Sequence, residues 1–123
     1  MNPRNWRERA KAAALIIAAF TAAVAALSCK PATPVERGRA IYLSRCVVCH
    51  NQNPNRAGVK GPPIAGSSRE LVEGRVLRLE YPPGYKPQRT THAMKAMPEL
   101  ARSIDDLAAF LADAGAKQNR ASR

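Results

Sequence analysis

The run Cys46-Val47-Val48-Cys49-His50 holds the side chains of this chain best suited to chemistry. Two thiols three positions apart can add to the two vinyl groups of one porphyrin, and the histidine that follows can turn back to meet the iron. In an exported chain this spacing reads as covalent attachment of a single haem c. Other chemistries use the same atoms: a redox dithiol, half of a zinc site, or a plain disulfide. A thioredoxin-like dithiol calls for a βαβ context, and the sequence has none. Zinc needs further Cys or His, and beyond this run and Cys29 there is only His92.

Composition explains why such a staple is wanted. A chain of 123 residues allows one small domain and excludes a multidomain enzyme. Hydrophobic residues make up 46%, yet rings only 5%, and the alanine-rich stretch 12–27 inflates the first figure. The remainder is too small and polar to be very stable unaided, so a disulfide, metal or cofactor is called for.

The amino terminus carries Arg4, Arg7, Arg9 and Lys11 against Glu8, followed by an uncharged run from Ala12 to Cys29. A basic region, an apolar region and small residues at its end form the layout of an export signal, assigned to residues 1–28. Three outcomes are open. Ala26-Leu27-Ser28-Cys29 resembles a bacterial lipobox, with Ala26 where Leu is usual, and would make Cys29 a lipidated first residue. Cleavage after Ala25 and retention as an anchor are the others. Each delivers the domain 29–123 outside the cytoplasmic membrane. Cleavage before Cys29 would leave 95 residues with 16 Lys+Arg and 8 Asp+Glu, a net +8.

Elements must then position the reactive run. Thr33, Pro34 and Glu36 form a capping box opening a first helix that carries Gly38 and Tyr42 towards Cys46. Ser67 with Glu70 opens a middle helix to Leu79 that contains Gly74, a residue unfavourable in a helix interior. Ser103 with Asp106 opens a last helix, with Leu107, Phe110 and Leu111 at helical spacing and Gly115 as its stop. The segment 116–123 reads as a polar, frayed tail.

Across residues 33–115 these features resemble the class I c-type cytochromes. The resemblance implies an all-α fold of three to four helices wrapped around one covalently bound haem c. It implies that Gly38 and Tyr42 let the first and last helices cross closely. In Gly61-Pro62-Pro63-Ile64 it makes the Pro62 carbonyl the acceptor of the His50 N–H, with Ile64 covering the haem face.

The sixth iron position could be taken by His92, Met94, Met97, or nothing. Met97-Pro98 resembles the family's Met-Pro, ten residues ahead of Leu107, and Met97 is the expected ligand beside His50. Met/His ligation gives a closed, one-electron site. An open position would instead favour a peroxidase or a gas sensor. Arg89, Tyr81 and Tyr85, in the Pro- and Tyr-rich loop 80–91, are candidate contacts for the haem propionates.

Lys60, Lys86 and Lys95 fall on loops near the ligand segments, and the resemblance implies that such lysines steer docking to acidic partners. Nucleic acid is not expected, since there is no interleaved aromatic–basic stripe. The expectation is therefore an electron carrier rather than an enzyme. It would be lipid-anchored through Cys29 or soluble in the periplasm, and would serve dehydrogenases, quinol-oxidising complexes, oxidases or reductases. A fixed haem subunit of a larger oxidoreductase is the other arrangement.

Overall fold

A computed structural model describes Lys11, residues 30–89 and residues 92–123. Apart from Lys11, the segment 1–28 expected to direct export lies outside the described residues, as do its expected cleavage points and Cys29. The chain divides into Met1–Pro31 and Ala32–Arg123. The second unit is all-α, with no strand among the described residues.

Helix α1, Pro34–Arg45, begins as its local sequence dictates. Thr33 accepts from the Glu36 N–H, and the Glu36 carboxylate accepts from the Thr33 N–H at 2.7 Å. Helix α2, Arg69–Glu73, is capped by Ser68, not Ser67, whose hydroxyl instead donates to the Ile64 carbonyl at 2.7 Å. The expected middle helix does not continue as α: Gly74–Arg78 is a π turn, closed by Leu79 in the left-handed region at φ 62°. A left-handed leucine costs roughly 1–2 kcal/mol. Leu79 therefore marks a turn held in place by its surroundings.

A 3-10 turn, Pro98–Ser103, runs directly into helix α3, Ile104–Ala121. The expected capping box at Ser103 does not form, because Ser103 is already inside the preceding turn and makes no side-chain cap bond. Asp106 is drawn away to Arg37, which grips both its oxygens at 2.8 and 2.7 Å and ties α1 to α3. Nor does Gly115 stop the helix, which continues through the segment expected to fray. Gly115 serves packing instead: a Cβ there would lie 2.7 Å from the Gly66 Cα.

The core forms where α1 crosses α3. A Cβ on Gly38 would lie 2.6 Å from the Asp106 carbonyl carbon, so only glycine permits this approach. Tyr42 then meets Phe110 with ring centroids 5.2 Å apart and tilted by 47°. Ile104 and Leu107 are fully buried beside Tyr42. Each buried aliphatic of that size contributes about 1.5–3 kcal/mol. Val72, Val76, Leu100 and Leu111 complete the cluster. α2 and the π turn thereby cover one flank of the crossing.

Candidate functional site

The Cys46–His50 run begins where α1 ends. The Cys46 N–H still bonds to the Tyr42 carbonyl at 2.9 Å, and the His50 N–H bonds to the Cys46 carbonyl at 2.9 Å. One tight turn thus gathers both thiols and the imidazole. The next twelve residues fold back onto it: the Lys60 and Gly61 N–H groups both donate to the Cys49 carbonyl, at 3.1 and 2.9 Å. Buried Tyr42 donates to the Asn51 carbonyl at 2.6 Å, fixing the run from below. Burial pushes the Tyr42 phenol up to about 12, so it stays a donor.

His50 is held on two sides. Its Nδ1 lies 3.0 Å from the Pro62 carbonyl. A carbonyl only accepts, so Nδ1 carries the proton and Nε2 keeps its lone pair. Burial, chiefly, holds the ring below its ordinary value of 6.5; the Pro62 carbonyl pulls the other way and the Arg89 charge adds to the lowering. The imidazole sits tight against Gly61, where a Cβ would come 2.4 Å from Cε1, 2.5 Å from Nδ1 and 2.9 Å from Nε2. Sequence reading assigns a role to Pro62 in Gly61-Pro62-Pro63-Ile64 but none to Gly61 itself. The signal available was the Gly-Pro pair itself, since glycine is what lets backbone approach a ring this closely.

These groups open onto a cavity of about 460 Å³, within the usual roughly 300–1,000 Å³ of a small-molecule site. Cys46, Cys49, His50, Pro62, Ile64, Arg89 and Met97 all line it. So do Tyr81 and Tyr85, and Val72, Val76, Leu107 and Leu111 from the core. Met94 and Met97 both line the cavity and pack against the core. His92 is exposed and does not line it, so the structure brings two methionines to the site but not the second histidine. Lys60 and Lys95 line it; Lys86 is exposed and does not.

Arg75 was missed in the sequence because nothing local distinguishes it from other helix-surface arginines. Its guanidinium sits 4.2 Å over the Tyr81 ring, which stacks on Tyr85 with centroids 5.3 Å apart. With Arg45, Lys60, Arg89 and Lys95, Arg75 makes five cationic residues in the lining, and no described lining residue is acidic. The site is suited to a ligand with an apolar body and anionic ends.

Both thiols are free and half-buried. Burial, with the neighbouring Cys49, pushes the Cys46 thiol up to about 11. Among the described residues no group of three or more His, Cys, Asp or Glu is arranged to hold a metal ion. Among the described residues no helix is long and apolar enough to cross a membrane.

The chain matches no family model, no curated protein and no solved structure.

Proposed function

We propose that this chain is a class I c-type cytochrome carrying one covalently attached haem c, and that it works as a one-electron carrier. The observation that carries the reading is the His50 Nδ1–Pro62 carbonyl bond beside two free thiols on the wall of one cavity. Each residue fits the group. Cys46 and Cys49 would form the thioethers, and His50 Nε2 and Met97 would be the protein ligands of the iron. Ile64, Val72, Val76 and Leu107 would enclose the macrocycle, while Arg89, Tyr81 and Tyr85 would meet its propionates. When bound, the haem supplies a metal centre that changes charge by one electron at a potential raised by Met/His ligation.

The protein's own contribution is orientation and exclusion of water. Pro62 fixes the His50 tautomer and raises the basicity of Nε2, and the apolar walls lower the local dielectric. The cationic lining complements acidic redox partners, whose approach it would accelerate and salt would slow. Cys29 is proposed as a lipidated residue holding the carrier at the periplasmic face of the cytoplasmic membrane.

The test is the absorption spectrum of the oxidised, haem-loaded protein beside that of Met97→Ala. A weak far-red band, given by methionine sulfur on ferric iron, is expected in the wild type and should vanish in the variant. Retention of the band in Met97→Ala would move the ligand to Met94. A high-spin wild type that binds carbon monoxide at once would replace the carrier with a peroxidase or gas sensor. A low-spin wild type without the band would mean a nitrogen ligand.

A further inference from the structure

The π turn Gly74–Arg78 sits between the last residues of α2 and the segment that delivers Met97. In a regular α-helix the Val76 carbonyl would accept the N–H four residues on, that of Glu80. Here both the Leu79 and the Glu80 N–H go back to the Gly74 carbonyl, the latter at 3.0 Å. Val76 is thereby released from Glu80, and its carbonyl accepts the Met97 N–H at 2.7 Å. Val76 is itself buried and lines the cavity, so the bond fixes Met97 at the cavity wall. The turn is built for this geometry. A Cβ on Gly74 would lie 3.0 Å from the Glu80 carbonyl oxygen, and Leu79 adopts the left-handed conformation that ends the turn. Arg75 reinforces it by donating to the Leu79 carbonyl. Isolated π turns inside helices occur often at functional sites.

We infer that this π turn is the positioning element for the methionine ligand: Gly74 and the freed Val76 carbonyl hold Met97 at the cavity, and opening the turn releases it. Gly74 and Val76 act through Met97 and do not touch the iron. The inference rests on Met97 as the ligand proposed above.

The experiment measures the affinity of the oxidised, haem-loaded protein for added imidazole, which competes with Met97, alongside the far-red band. Three proteins are compared: wild type, Gly74→Ala, and Phe110→Leu, which loosens the α1–α3 crossing at a residue that does not itself line the cavity. Gly74→Ala should raise imidazole affinity about tenfold, the lower end of what loss of a ligand's supporting contact costs. Phe110→Leu should leave it unchanged. A wild type with the band, combined with unchanged affinity in Gly74→Ala or an equal rise in Phe110→Leu, overturns this inference and leaves the Met97 ligand standing. A wild type lacking the band overturns both. If Gly74→Ala yields no folded holoprotein, amide exchange on the wild type decides. The Glu80 and Met97 amides should lose protection together when imidazole binds, and continued protection of Glu80 alone would refute the inference.

Discussion

Replacing Gly61 with alanine tests whether His50 is seated as described. A methyl on Gly61 would lie 2.4 Å from His50 Cε1 and 2.5 Å from Nδ1, whereas ordinary contact begins at 3.4 Å, so ring and backbone must separate by about 1 Å. The Nδ1–Pro62 bond is 3.0 Å long, and a shift of that size breaks it. Loss of such a bond costs about 1 kcal/mol. Forcing a methyl into a filled site costs about 1–3 kcal/mol more. The total, about 2–4 kcal/mol, corresponds to a fall in melting temperature of about 10–30 °C for a domain of this size. The assay is thermal unfolding of the haem-loaded protein, followed by circular dichroism and by the Soret band. Gly84→Ala serves as the comparison, since Gly84 has φ 77° with nothing within 4 Å, and its replacement carries only the backbone penalty. A Gly61→Ala protein melting no lower than Gly84→Ala would refute the claim that the imidazole rests on that backbone.

Two further outcomes follow from the same contacts. Tyr42→Phe removes the only donor that Tyr42 offers to the Asn51 carbonyl and should cost about 1–2 kcal/mol, read as a lower urea midpoint at unchanged slope; an unchanged midpoint would mean that the bond contributes nothing. Asp106 is held below its ordinary 3.8, first by the hydrogen bonds from Arg37 and then by its charge. A depressed carboxyl stabilises the fold above its unfolded value and loses that contribution as pH falls through the folded one. Stability should therefore drop below pH 3.8, and Asp106→Asn should drop less steeply over that range; parallel acid melting curves would show the pair to be irrelevant to acid unfolding.

The candidate site was more legible than the elements around it. Cys46, Cys49 and His50 announce themselves because their spacing along the chain is itself the signal, whereas the role of the Pro62 carbonyl came only from the family resemblance and the structure places that carbonyl 3.0 Å from His50 Nδ1. The Thr33 capping box was equally readable, since its donors and acceptors lie within four consecutive residues. The same rule failed at Ser103. There the cap competes with the 3-10 turn before it, and with Arg37, 69 residues away in sequence, for Asp106. Gly115 failed likewise, because its close approach to Gly66 outweighs its local tendency to end a helix.

By itself, then, the sequence determined the reactive run, the start of α1, the apolar face of α3 and the set of candidate ligands. Those are properties of neighbours along one chain, where spacing fixes reach. Only the tertiary structure decided that Met94 and Met97 reach the cavity while His92 does not, that Arg75 joins the cationic lining, and that Gly61 must be glycine. It also decided that the middle helix breaks into a π turn whose spare carbonyl takes the Met97 N–H. Each of these depends on which backbone donor or acceptor is left without its local partner. That is settled only when distant segments pack and compete for it.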